Sequence, residues 1–260
     1  MLEIRHLTKQ YGEKTAVDDL TLTIRPGEIF GFIGPNGAGK TTTLKCCCGI
    51  LQPDRGEVRV NGCSMRDDPL AAKRQLAYLP DDPALYGYMT GIQYLDFIAD
   101  VFGVREAARA ERVRVYGERF ALTEALGQPI SSYSHGMRQK MMVMGALLPN
   151  PDVWVLDEPM TGLDPKAAWL LKQSMREHAD AGKTVLFSTH VLDVAEKVVD
   201  RVGIVAHGEL LFVGTVDQMR EHFRNNGSLE EMFLELTGEN SPLAGAGSVA
   251  EDAGAPAEEM

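Results

Sequence analysis

Gly34-Pro35-Asn36-Gly37-Ala38-Gly39-Lys40-Thr41 matches G-x-x-x-x-G-K-[ST] at every fixed position. It follows the apolar run Ile29–Ile33 and opens a segment of helical period. Glycines at these spacings let successive backbone N–H groups turn toward one anion, and the helix N-terminus adds partial positive charge. Lys40 is suited to neutralise β/γ-phosphate oxygens and the Thr41 hydroxyl to reach Mg²⁺, so the expected ligand is a nucleoside triphosphate. Far along the chain a second apolar run, Val153–Leu156, ends in Asp157-Glu158. Acids at the C-terminal end of a strand face the ligand crevice of an open α/β sheet. Asp157 suits Mg²⁺ held through its water shell, while Glu158 is placed to orient and deprotonate an attacking water.

Strands and helices must carry these groups. Leu2–Leu7, Val17–Ile24 and Ile29–Ile33 follow one another as β-type runs, with Arg25-Pro26-Gly27-Glu28 as a turn. Further β-type runs at Val58–Val60, Leu76–Leu79, Val153–Leu156, Thr184–Ser188 and Val202–Val205 are separated by helical periods, among them Lys40–Gly49, Lys166–Ala181 and Val191–Val199. That alternation predicts an α/β fold with a parallel sheet flanked by helices. Between about Asp81 and Ala146 the β-type runs vanish, and Ile92–Phe102, Glu106–Phe120 and Met137–Leu148 read as amphipathic helices of an inserted subdomain. After a hairpin signal at His207-Gly208 and the run Leu210–Val213 come two short helical patterns, Val216–Phe223 and Leu229–Leu236. One domain over 1–238 is expected, with a core of about 1–80 and 147–214, a helical subdomain of about 81–146, C-terminal helices in 215–238, and a disordered acidic tail at 239–260.

The 260 residues are 44% hydrophobic, and no stretch approaches the roughly 20 apolar residues that span a bilayer. The chain is expected to stay in the cytosol unless a partner moves it. Net charge is −11; the five acids of residues 239–260 take −5 of that, leaving −6 on residues 1–238, which argues against a nucleic-acid binder. Cys46, Cys47 and Cys48 are consecutive, each about 100° around a helix from the next, so they do not converge on one metal and read as small apolar helix residues. His6, His178, His207 and His222 offer no constellation.

Taken together the motifs resemble the ATP-binding cassette (ABC) transporter ATPases, over about residues 2–233. Beyond the phosphate cradle and the acid pair, Tyr11 falls where that family stacks an aromatic ring on adenine. Tyr133-Ser134-His135-Gly136-Met137-Arg138-Gln139 is similar to the family signature, with Ser134 and Gly136 at its two essential positions. Thr161-Gly162-Leu163-Asp164 and Ser188-Thr189-His190 follow in the places of the D-loop and the switch histidine. The resemblance implies a P-loop NTPase core with an antiparallel β subdomain and an inserted α-helical subdomain. It implies ATP held by Tyr11, the 34–41 loop, Thr42, Ser134, Gly136 and Asp164. Mg²⁺ would lie at Thr41, Asp81 and Asp157, and hydrolysis would rest on Lys40, Glu158 and His190. Ser134 is also a helix N-cap, and Ser hydroxyl, Gly N–H and helix N-terminus make a second anion site; by resemblance it closes over the partner subunit's γ-phosphate.

Three positions depart from the family pattern. Asp81 stands where Gln is usual, keeping an oxygen for Mg²⁺ but adding charge and removing an amide donor. His135 and Met137 replace Gly and Gln in the signature. The acid and the Ser-x-Gly-Met-x-Gln pattern are similar to the branch serving exporters of drugs, lipids or polysaccharides. A transporter role implies a separate integral-membrane subunit, docking at Pro83–Met89 and Tyr94–Phe102, a second ABC ATPase subunit, and a peripheral place on the cytoplasmic side of the membrane. The alternative, a soluble ABC-type ATPase remodelling DNA or ribosomes, is opposed by the single cassette, the lack of a long coiled-coil insertion and the acidic balance.

Overall fold

The computed structural model describes residues 1–82, 85–191 and 195–222. Two sheets share the work. Strands β1 (Leu2–Tyr11), β2 (Lys14–Ile24), β4 (Arg55–Val60) and β5 (Cys63–Ser64) form an antiparallel sheet in the order β2-β1-β4-β5. The second sheet runs β10-β9-β3-β8-β7-β6, built from β3 (Ile29–Ile33), β6 (Leu76–Leu79), β7 (Val153–Leu156), β8 (Thr184–Thr189), β9 (Arg201–Ala206) and β10 (Glu209–Gly214). Its central strands are parallel, and β10 returns antiparallel on β9.

Apolar runs such as Val153–Leu156 follow from burial on both faces. Val153 and Val155 join a core with the antiparallel sheet, helix α1 (Lys40–Cys47) and α2 (Pro69–Arg74). Trp154 and Leu156 point the other way, into a core with α5 (His135–Leu147) and α6 (Pro165–Asp180). Helices α3 (Gly91–Val101) and α4 (Glu106–Arg119) add Leu95, Ala99 and Val113 to that second core, and α7 is Val216–His222. Among the described residues no helix is long and apolar enough to cross a membrane.

Several elements differ from what patterning predicts. β1 continues to Tyr11 because register shifts after Ile4 change the phase of its alternation, with His6 and Asp19 both at positive φ. β4 begins at Arg55 and turns through Asn61-Gly62 into β5, and α2 is six residues behind an Asp68 cap, too short to show a period. Cys46, Cys47 and Cys48 are all buried, and burial pushes the Cys46 thiol up to about 11, in keeping with inert apolar packing. Part of Val191–Val199, part of Val216–Phe223, the pattern at Leu229–Leu236 and the 239–260 tail lie outside the described residues.

Candidate active site

The loop from Gly34 to Lys40 leaves the C-terminal end of β3 and enters α1. Its glycines answer to space as well as conformation. A side chain at Gly34 would strike the Val205 carbonyl, and one at Gly39, at φ +101°, would strike the Ala16 carbonyl. Gly37, at φ +82°, faces open space. Pro35 accepts the Ala38 N–H (3.2 Å). Lys40 folds back into the loop, its ammonium donating to the carbonyls of Gly34 (2.7 Å) and Pro35 (3.2 Å), with Glu158 Oε1 at 3.5 Å. The His190 imidazole Nδ1 lies 3.0 Å from the other Glu158 oxygen.

Sheet register brings the acids to the loop. Asp157 and Glu158 leave the end of β7, beside Ser188 near the end of β8, because Leu156 pairs with Phe187. The Ser188 hydroxyl donates to Asp157 Oδ1 (2.6 Å) and accepts the Glu158 N–H (3.0 Å). Glu158 has φ +45°, a conformation that costs a non-glycine residue about 1–3 kcal/mol and persists only where its surroundings hold it. Ser188, Lys40 and His190 are that surround.

A cleft of about 300 Å³ gathers Tyr11, Asn36, Gly37, Gly39, Lys40, Thr41, Thr42, Asp81 and Glu158, together with Lys14 and Ala16. Tyr11 is half exposed with the Lys9 ammonium 5.7 Å from its ring centre. Partial burial, then the charges of Asp157 and Glu158, holds the Asp81 carboxyl above the usual range. Asp157 is buried just behind. Asp81, Asp157 and Glu158 thus lie near one another at the phosphate loop, a local concentration of negative charge that a divalent cation would offset. Their all-oxygen donor set suits Mg²⁺. Among the described residues no three ligating His, Cys, Asp or Glu side chains converge, so such an ion would keep waters and phosphate oxygens in its shell.

Ser134, Gly136 and Asp164 do not line this cleft. Ser134 is exposed and caps α5, its Oγ accepting the Met137 N–H at 3.2 Å. Asp164 caps α6 through the Ala167 N–H (2.8 Å) and pairs with Lys140 (3.1 Å). Sequence reasoning overlooked Lys14 and Ala16 as lining residues, and it assigned no role to Tyr78 or Ser188; only their places near strand ends hinted at one.

Residues 17–161 match the family model described as ABC transporter. The chain belongs to the ABC transporter family, as an ATP-binding subunit. It is 34% identical to the ABC-type transporter ATP-binding protein EcsA of Bacillus subtilis (strain 168), over 93% of this chain and 98% of that protein. It is also 34% identical to the Nod factor export ATP-binding protein I of Ralstonia nicotianae, over 85% of this chain and 69% of that one. A solved ATP-binding subunit of an ABC transporter superposes with a TM-score of 0.88 at 36% identity, covering 91% of this chain and 99% of the other. ATP is thus the ligand, and the enzyme class is that of the ABC ATPases.

Proposed function

We propose that two such cassettes close over ATP and drive export through a separate integral-membrane subunit. The observation that supports this reading is a separation: Lys40, Glu158 and His190 meet at one cleft, while Ser134 and Gly136, at the N-terminus of α5, do not line it. A second subunit supplies the phosphate that they would meet.

Within the cleft, the 34–41 loop and Thr42 bind the phosphates and Tyr11 stacks on the base, an interaction worth about 1–3 kcal/mol in other base–aromatic pairs. Glu158 orients a water and takes its proton as the water oxygen attacks the γ-phosphorus, releasing ADP and inorganic phosphate. His190 steadies Glu158 through the 3.0 Å contact. Thr41, Asp81 and Asp157 would hold Mg²⁺, which when bound supplies positive charge at the β/γ-phosphates. Binding energy closes the pair and hydrolysis lets it reopen.

The membrane partner docks on the helical insert. An apolar groove of about 370 Å³ is lined by Tyr78, Leu85, Tyr94, Ile98, Phe102 and Met142 among others, and the exposed rings of Tyr86, Tyr88 and Phe97 contact one another on the same insert. A cluster of exposed aromatic rings is a feature of partner-binding surfaces. Docking there puts the subunit on the cytoplasmic side of the membrane. Export as the direction draws support from Asp81, from the signature pattern and from the relative named for export.

Ser134→Arg tests the pairing. In the assembled complex ATP hydrolysis should fall at least tenfold, with ATP affinity of the isolated subunit within twofold of the parent. Undiminished hydrolysis would refute the trans site.

A further inference from the structure

Asp157 is held from two sides. Register aligns Tyr78 of β6 with Val155 of β7 and Leu186 of β8, so Asp157 and Ser188, each two residues on, share the face of Tyr78. The Ser188 hydroxyl donates to Oδ1 at 2.6 Å and the Tyr78 phenol donates to Oδ2 at 3.3 Å. Both oxygens of one buried carboxylate thus have a hydroxyl donor, one from each flanking strand. The two donors differ in what lies behind them. Ser188 is buried in the sheet, whereas Tyr78 is half-buried and lines the apolar groove, as do Tyr94, Ile98 and Met142. One residue therefore both lines the groove and donates to the acid.

We propose that Tyr78 is a positioning residue that holds the Asp157 carboxylate for the metal and ties its orientation to what occupies the groove. This rests on the reading of Asp157 as a Mg²⁺ residue and of the groove as the partner's seat. A carboxylate clamped at both oxygens presents its lone pairs in one direction. Freed of the phenol, it turns about the remaining Ser188 bond. Outer-shell partners of this kind commonly matter 10- to 100-fold in metal affinity; the long 3.3 Å bond places Tyr78 at or below the low end.

The test is Tyr78→Phe in the full chain, which keeps the ring and the groove wall and removes only the hydroxyl. Binding of a fluorescent ATP analogue is titrated with Mg²⁺ and repeated in EDTA. The Mg²⁺ half-saturation should rise about three- to tenfold, with affinity in EDTA and the thermal midpoint close to the parent's. A superimposable Mg²⁺ titration would overturn the proposal. Ile98→Trp, which crowds the groove without touching the cleft, should shift the same half-saturation in the parent background and not in Tyr78→Phe; equal shifts in both would overturn the link to the groove. Nucleotide binding by the parent that ignores Mg²⁺ altogether would instead strike at the metal reading of Asp157, and the proposal would fall with it.

Discussion

Glu158→Gln separates what Glu158 does for chemistry from what it does to Lys40. In the structure its carboxylate lies between the Lys40 ammonium at 3.5 Å and the His190 imidazole at 3.0 Å. Unit charges at that first distance attract by about 5 kcal/mol at an effective dielectric of about 20. Desolvation and competing water reduce this gross figure several-fold. What remains competes with phosphate for the same ammonium, and about 1.4 kcal/mol is already tenfold in affinity. The amide lacks that charge and cannot take a proton from water. The variant should therefore bind ATP as tightly as the parent or up to tenfold more tightly, while turnover falls by about 10²–10⁴, the usual share of a general base. Equilibrium binding and a phosphate-release assay on one preparation read both quantities. Turnover within threefold of the parent would refute the role of Glu158, and a tenfold loss of affinity would refute the competition for Lys40.

Lys40→Ala removes the ammonium aimed into the phosphate loop, so ATP affinity by equilibrium dialysis should fall at least tenfold; a value within twofold of the parent would place the phosphates elsewhere. His178 yields a pH prediction about stability. It is buried against Trp154 at 5.7 Å, and burial, then the Lys183 charge, lowers its pKa from 6.5 to about 4. The unfolded chain then binds the proton more readily in that interval, so the neutral imidazole's contribution is fully present above about pH 6.5 and is lost as pH falls toward 4. Linkage gives a loss of about 2 kcal/mol between pH 7.5 and pH 5. Urea unfolding at the two pH values should show that loss as a difference between the parent and His178→Phe, and identical pH slopes would exclude it.

The phosphate loop was readable because nearly every position in it is constrained by something local: a positive φ at Gly37 and Gly39, the close approach of the Val205 carbonyl at Gly34, a cation at Lys40. The central strands were readable because burial on both faces leaves runs with no polar interruption. Elements resting on short-range turn chemistry escaped, as with the Asn61-Gly62 hairpin and the six-residue α2. The Tyr78–Asp157–Ser188 row escaped for a different reason. It depends on which strands are neighbours and in what register, and no spacing along the chain encodes that 79 residues apart. Asp81 falls between these cases: its departure from the family pattern was plain, but its pKa is raised by partial burial and by the carboxylates of Asp157, Glu158 and Asp82, which the fold brings near it.

The signature substitution His135 finds its physical meaning inside the chain. The His135 ring packs so closely on Gly162 that a side chain there would overlap it, and a side chain at Gly136 would meet the Gly162 carbonyl at 3.7 Å. A few residues on, Lys140 of α5 pairs with Asp164, the cap of α6. An ion pair and packing thus join the start of α5, which packs with α3 and α4, to the loop that opens α6, which packs on β8 and β3. An exposed ion pair of this kind adds little stability, roughly 0–1 kcal/mol, but together with the ring contact it fixes relative position. Any closure that carries Ser134 toward a partner's phosphate must then carry the 161–164 loop with it or break these contacts. A glycine at 135 would remove the ring contact and leave the Lys140–Asp164 pair with the shared packing of Met137, Met160 and Leu163 on one core.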